Sequence, residues 1–409
     1  MLHLIWLGFF VVAFLSALYR WIFVGDGEVF QHMITASFDM ATLSVELAIG
    51  LIGVLSLWLG FTALGEASGL IQRLAHWVAP LFSRLMPGIP KDHPAMASMT
   101  LNLSANALGM DNAATPLGLK AMQDLQSLNP KPDTASNAQI LFLVLNTSSV
   151  TLFPITVLLY RTQMGAEDPA AVFIPILIAT SCSTLAGLLI TAWVQKIKLL
   201  DTVVLTYAAL AFSLMLALIA YFSSLTATQL QTQSSLISNL LIFSLILIFL
   251  LSAHFKKVNV YECFVEGAKQ GFKVAIDIIP YLLAMLVAIG VFRASGALDA
   301  VIEAVRNVVL WLGFDTRFVD ALPTAFMKPL SGSGARAMMI ETMNTHGVDS
   351  FQGLLAATIQ GSTETTFYVL AVYFGSVKIR HSRHAVACGL TADLAGIIAA
   401  IGVAYWFFA

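Results

Sequence analysis

Stretches of about 20 consecutive, mostly apolar residues recur along this chain, and each is long enough to carry a helix across the roughly 30 Å hydrocarbon layer of a bilayer. Nine can be marked, near 4–24, 43–65, 138–160, 172–195, 202–223, 235–255, 277–295, 351–375 and 384–407. Of the 409 residues, 58% are hydrophobic and only 11% charged, against roughly 25% charged in soluble domains. The expected fold class is an all-α polytopic membrane protein, with membrane lipid as a partner. The first stretch, "LIWLGFFVVAFLSALYRWIF", lacks a basic start and a clear cleavage site, so it reads as a retained span rather than a signal peptide. A net charge of −2 suggests no nucleic-acid partner. Cys182, Cys263 and Cys388 are few and far apart, so neither a disulfide framework nor a cysteine metal site follows.

Basic residues in short loops favour the cytoplasmic side. One set of loops carries Lys196, Lys198, Lys256, Lys257, Lys269, Lys273, Lys378, Arg380 and Arg383. The opposite loops carry little beyond Arg20 and Arg161, and "SSLTATQLQTQSS" at 223–235 has no Lys or Arg. The expected location is a bacterial inner (cytoplasmic) membrane, with the N-terminus in the cytoplasm and the C-terminus outside.

Two long regions, 66–137 and 296–350, do not look like simple spans. Each opens on an amphipathic stretch, "LIQRLAHWVAPLFSRL" and "LDAVIEAVRNVVLWLGF", suited to a helix lying in the interface. Each continues into a segment rich in Gly, Ser, Asn and Pro. These regions belong to an internal repeat. "ASGL" at 67–70 answers "ASGA" at 294–297, and "LSANA" at 103–107 answers "LSGSG" at 330–334, both at an offset of 227. "NTSSVTLF" at 146–153 answers "QGSTETTF" at 360–367 at an offset of 214, and "LAGLLI" at 185–190 answers "LAGIIA" at 394–399 at 209. The organisation that follows is a first repeat at 1–200, a linking span and outer loop at 201–234, and a second repeat at 235–409.

Corresponding spans of the two copies are five crossings apart, and an odd shift inverts one copy relative to the other. Inverted repeats with interrupted segments at matching places are the signature of secondary transporters, whose sites form near the midplane between repeats. LSANA and LSGSG are then expected at the tips of re-entrant hairpins. Non-helical backbone at that depth must be buried in protein or line a wet cavity. Gly332 and Gly334 are expected to let the chain turn and approach a ligand closely. Ser331 and Ser333 offer hydroxyls, and Arg336 adds charge near a helix N-terminus that attracts anions.

"NLSANALGMDNAATPLGLKAM" (102–122) with "LNTSSVTLFP" (145–154) resembles the spore maturation protein A family, and "KPLSGSGAR" (328–336) with "ATIQGSTETTFYVLAVYFG" (357–375) resembles the spore maturation protein B family. Nearly the whole chain is similar to a fusion of the two. Both belong to the nucleoside-recognition, or Gate, group, which is similar to concentrative nucleoside transporters and to the membrane part of ferrous iron transporters. The resemblance implies a fold of about nine transmembrane helices in two inverted repeats, each with an interfacial helix, a re-entrant hairpin and a broken helix. It supplies no substrate.

In "IQGSTETTFYV" the positions Gln360 to Thr366 are all polar or glycine near the middle of an apolar span. A charge at the bilayer centre costs roughly 2.5–3.5 kcal/mol on insertion scales, so Glu364 is expected to face protein or water. An interhelical hydrogen-bond network would explain isolated threonines; the whole run, opposite a matching "NTSSVT", favours a binding site. The expected solute-binding residues are Ser104, Asn106, Asp111, Asn112, Asn146, Ser148, Ser149, Thr151, Ser331, Ser333, Arg336, Gln360, Ser362, Thr363, Glu364 and Thr365. Glu364 and Asp393 are candidates for coupling or proton relay, Asp393 pairing with Arg336 or capping a kink. Glu341 is placed to pair with Arg336.

The functional expectation is a secondary transporter for a small polar or anionic organic solute, with nucleoside-like compounds one class. No cofactor is expected; Na+ or H+ coupling and a homo-oligomer are both left open. Two alternatives remain. One is a non-transporting envelope scaffold. The other is an intramembrane serine hydrolase, disfavoured because no His falls in a confident span core.

Overall fold

The structure, a computed structural model, describes residues 2–90, 92–108, 111–148 and 151–409. A short N-terminal helix α1 (Leu2–Tyr19) precedes the first repeat. That repeat consists of α2 (Val29–Ala67), α3 (Leu70–Leu85), α4 (Pro94–Ala107), α5 (Asp111–Ser127), α6 (Asn137–Ser148), α7 (Ile155–Gln163) and α8 (Phe173–Gln195). Helices α9 (Thr202–Ser223) and α10 (Ala227–Phe255) lead to the second set. It repeats the order as α11 (Val260–Ala294), α12 (Ala297–Trp311), α13 (Leu322–Met327), α14 (Gly332–His346), α15 (Phe351–Ser362), α16 (Thr366–Ser376) and α17 (Ala385–Phe408).

Among the described residues, six helices are long and apolar enough to cross a membrane by themselves, with α11 and α12 forming a further bent pair at 69°. The chain is a membrane protein. The other two apolar stretches, 138–160 and 351–375, are each split into short half-helices, α6 with α7 and α15 with α16. Proline explains the first split: Pro154 cannot donate and biases Phe153 away from helical geometry. The second has no proline. Thr363 is extended at φ −147°, ψ 172° and Thr365 sits at φ −86°, ψ 97°, where β-branched hydroxyl residues compete with the helix.

The ASGL and ASGA repeat marks a backbone requirement. Gly69 and Gly296 occupy the left-handed region, at φ 73° and 78°, and each turns a long helix into the amphipathic helix that follows. The hairpin motifs correspond less closely. LSANA lies inside α4 and closes it just before the tip, because its residues stay helical through Ala107. LSGSG opens α14 because Ser331 caps that helix, so Gly332 and Gly334 are helical and do not make the turn; Lys328 to Leu330 make it.

Equivalent helices of the two sets pair antiparallel. Gly271 of α11 lies against Ser56 of α2, Gly267 against Leu59 and Gly60, and Gly290 against Ala36 and Met40. Gln195 of α8 meets His384 at the start of α17 at 3.0 Å, whereas Ser183 donates to the Ala392 carbonyl further along it at 2.8 Å. Antiparallel pairing of equivalent elements is the relation that two inverted copies require. At 39 and 35 residues, α2 and α11 are about 58 and 52 Å long at 1.5 Å per residue, and small residues let them approach closely, as membrane helices do.

The loops at the two ends interlock in the same crossed fashion. At one end the Asp133 carbonyl accepts from the backbone of Arg380 and His381, and Ala135 donates to the His381 carbonyl. At the other, Arg161 is 0% exposed. It donates to the carbonyls of Asp168 and Val348 at 3.0 and 2.9 Å and pairs with Asp349 at 2.8 Å. Arg161 is therefore a buried strut between the repeats rather than a solvated loop charge.

Two predictions follow from this arrangement. Single cysteines at Lys131 and at His346, both exposed, should react with membrane-impermeant reagent from opposite faces; labelling from one face is incompatible with inversion. Lys91, also on the first hairpin, lies outside the described residues. A side chain at Gly271 would meet the Ser56 backbone at 2.4 Å, whereas Gly53 has nothing within 4 Å. Gly271→Val should lower stability by about 1–3 kcal/mol, the usual range for overpacking, and Gly53→Ala should leave the melting profile nearly unchanged.

Candidate functional site

The two helix breaks cross at the centre of the fold, and their exposed backbone groups answer one another. The Glu364 amide donates to the Thr147 carbonyl at 2.7 Å. Each break also leans on the hairpin of its own repeat: Leu152 donates to the Ala107 carbonyl at 3.0 Å and Phe367 to the Pro329 carbonyl at 2.9 Å. The last carbonyls of the half-helices find side chains. Ser148 is served by Thr180 and Thr184 at 3.3 and 3.4 Å, and Gln360 by Lys328 Nζ at 2.7 Å. Such pairing is what permits irregular backbone at membrane depth.

Between the breaks and the hairpins lies a cavity of about 220 Å³, well above the ~30 Å³ share of one water. Both repeats line it. The first contributes Asn106 and Thr115 from the hairpin and Asn146, Thr151, Phe153 and Thr156 from the broken helix. The second contributes Lys328, Gly332 and Arg336 from its hairpin and Gln360, Thr363, Glu364, Tyr368 and Tyr373 from its broken helix.

The first-repeat amides are tied into a network. Asn106 donates to Asn146 Oδ1 at 2.8 Å, Tyr373 donates to the same oxygen at 3.2 Å, and Asn146 in turn donates to the Phe142 carbonyl at 2.9 Å. Asn102 donates to the Ala114 carbonyl at 2.8 Å and reaches Tyr373 at 3.4 Å. The second-repeat groups are not so consumed. Arg336 Nε, Gln360 Oε1 and Thr363 Oγ1 are buried without a hydrogen-bond partner. Neither Arg336 nor Glu364 has an ion-pair partner among the described residues. Lys328 is 2% exposed, its ammonium set at the negative end of α15, where a cation is favoured. The lining thus presents two cations, one carboxylate, free donors and acceptors, and apolar walls from Phe153 and Tyr373.

Of the residues expected from sequence, Asn106, Asn146, Thr151, Arg336, Gln360, Thr363 and Glu364 line this cavity. Others lie behind it. Ser148 and Ser362 donate back to their own helices, at Leu145 and Ile359. Ser331 accepts from the Gly334 amide at 3.1 Å as the cap of α14, with Ser333 Oγ 3.2 Å away. Ser104 and Thr365 hydroxyls are buried without partners. Asp393 meets Thr366, not Arg336, at 2.6 Å. Glu341 pairs with Arg293 at 2.8 Å, not with Arg336. Asp111 and Asn112 begin α5, with side chains outside the description, and Ser149 lies outside the described residues.

Lys328 and Tyr373 are lining residues that sequence reasoning missed. Lys328 sits two residues before LSGSG, on the hairpin tip itself. Tyr368, Val369, Val372 and Tyr373 share a spacing that sets one face of α16 toward the cavity.

Because Ser331 caps a helix, Ser331→Ala should cost about 1 kcal/mol of stability, measured by denaturant or thermal melting. Ser333→Ala should cost less.

The sequence profile of the Gate family, described as nucleoside recognition, matches residues 48–163 and 275–380. The two matches fall on equivalent stretches, α2 through α7 and α11 through α16. Spore maturation protein B of Bacillus subtilis (strain 168) is 47% identical over 152 residues, covering 37% of this chain and 84% of that protein. Spore maturation protein A of the same organism is 36% identical over 190 residues, covering 46% of this chain and 93% of that protein. A solved structure of CNTnw in an inward-facing substrate-bound state aligns over 97% of this chain and 89% of that one, with 13% identity and a TM-score of 0.35.

Proposed function

The chain belongs to the Gate family, described as nucleoside recognition, and on that footing we propose that it is a secondary transporter of the inner (cytoplasmic) membrane. It moves a small polar or anionic organic solute by alternating access. Nucleoside-like compounds are one candidate class, and the transport is either facilitated or tied to Na+ or H+. One observation carries this reading: a cavity at the crossing of two helix breaks, lined by both repeats, into which Arg336 and Glu364 project without ion-pair partners. Arg336 Nε, Gln360 Oε1 and Thr363 Oγ1 are buried there without partners; a buried polar group with no hydrogen bond is costly, and a polar solute that pairs with them relieves that cost. With Lys328 and Arg336 against Glu364, the lining carries one excess positive charge, which favours anions.

Alternating access needs two arrangements of similar energy. Two copies of one unit, joined antiparallel, supply them by exchanging the conformations of the copies. The hydrolase alternative loses support because the serine hydroxyl of LSGSG is engaged as a helix cap. The scaffold alternative does not explain the buried, unpartnered Arg336 Nε and Gln360 Oε1.

A thermal-shift screen of purified protein against nucleosides, amino acids and dicarboxylates should identify a solute that raises stability, since a ligand binding only the folded state does so. Arg336→Ala should then weaken an anionic ligand by about tenfold to a hundredfold, the scale of a charge-assisted hydrogen bond, and neutral analogues less. Glu364→Gln should abolish flux in proteoliposomes while the protein still inserts and purifies. Flux unaffected by both variants would remove the cavity from the mechanism.

A further inference from the structure

Asp393 lies midway along α17 and is 1% exposed. The second helix break is pressed against α17 on both sides of it. A side chain at Gly389, one turn earlier, would sit 2.8 Å from the Thr366 methyl, and one at Gly396, one turn later, would sit 2.6 Å from the Thr363 methyl. One carboxylate oxygen, Oδ2, accepts from Thr366 Oγ1 at 2.6 Å. Thr366 in turn accepts from Thr147 Oγ1 at 2.9 Å. A single hydrogen-bonded chain therefore joins the first break, the second break and the last span.

The other oxygen, Oδ1, is buried with no hydrogen-bond partner, and so is Thr363 Oγ1 on the segment packed beside it. Asp393 forms no ion pair among the described residues. The charged groups near it are Lys328, at the hairpin tip, and Glu364, on the break. The nearest groups given from α6 and α8 are hydroxyls bonded to its neighbours, Thr147 to Thr366 and Ser183 to the Ala392 carbonyl. A bare carboxylate oxygen in a dry interior is unfavourable. A proton there removes the charge.

Resting on the transporter reading, we propose that Asp393 is the residue that carries a coupling proton. The proton comes from a hydronium ion on the cavity side: one hydronium O–H bond breaks and leaves water, and the Asp393 Oδ1–H bond forms. The ionised Asp393 holds Thr366 by a charge-assisted bond, which is roughly twice as strong as a neutral one. Protonation weakens that hold on the break that carries Gln360, Thr363 and Glu364. Proton binding and solute binding then bias the same element, which is what coupling between two sites requires.

The test needs no solute. Infrared spectra of the full chain in liposomes, titrated between about pH 5 and about pH 9, should contain a protonated-carboxyl band that grows as pH falls. It should vanish in Asp393→Asn and persist in Glu364→Gln. Thr366→Val, which keeps the shape and the carboxyl, removes a hydrogen bond donated to the charged form; that change favours the neutral acid, so the band should persist to higher pH by about one unit. The Thr366 variant keeps the test decisive if Asp393→Asn does not fold. The proposal is overturned by a band that survives Asp393→Asn, by no titrating band, or by no shift in Thr366→Val. An Asp393-dependent loss of the band on replacing choline chloride with NaCl at fixed pH would make Na+ the ligand and equally overturn it. A correctly behaving band with no solute in the thermal screen would leave the proton site standing and count against transport alone.

Discussion

Two helices interrupted inside an apolar fold leave amides and carbonyls that lipid cannot satisfy, and most of the architecture follows from where those groups find partners. Each break has two sources of help. One is the hairpin of its own repeat, through the Leu152 to Ala107 and Phe367 to Pro329 bonds; the other is the opposing break, through Glu364 to Thr147. The hairpins therefore cannot be moved without exposing the breaks. The repeats cannot be pulled apart without exposing both. Thr180, Thr184 and Lys328 serve the Ser148 and Gln360 carbonyls from the sides.

The same requirement explains why a cavity sits at this point. Half-helices that stop at a crossing leave a gap wider than side chains from straight helices would, and polar residues recruited to satisfy backbone also line the gap. Asn146 illustrates the double role: its oxygen holds Asn106 and Tyr373 together while its residue faces the cavity. Stacking of Phe142 on Tyr373, at 5.8 Å between centroids and 10° between planes, fixes the aromatic wall.

Much of this was legible in the sequence, for physical reasons that can be named. Apolar length marks spans because bilayer thickness is fixed. The ASGL and ASGA pair was visible because glycine adopts the left-handed position between a long helix and an interfacial one without steric cost. The polar run 360–366 was visible because such a run cannot face lipid. The hairpin tips were less legible: LSANA and LSGSG match by letter, yet one ends a helix and the other begins one, since Ser331 finds the Gly334 amide three residues on. Partner choice was not legible at all. Glu341 lies five residues after Arg336, off the three- or four-residue spacing at which helical side chains meet, and Arg293, distant in sequence, reaches it from α11 instead. Lys328 was passed over because nothing local reveals that the α15 carbonyl end comes within its reach.

Duplication gives two copies of one scaffold, but the chemistry is divided unequally between them. Among the described lining residues, the charged ones, Lys328, Arg336 and Glu364, come from the second repeat, as does the buried Asp393 behind them. The first repeat supplies hydroxyls and two neutral amides, Asn106 and Asn146, bonded to each other. Placing like roles in one copy keeps the charges on the hairpin tip and break that share the Phe367 to Pro329 bond, so a shift of that hairpin alters all of them together.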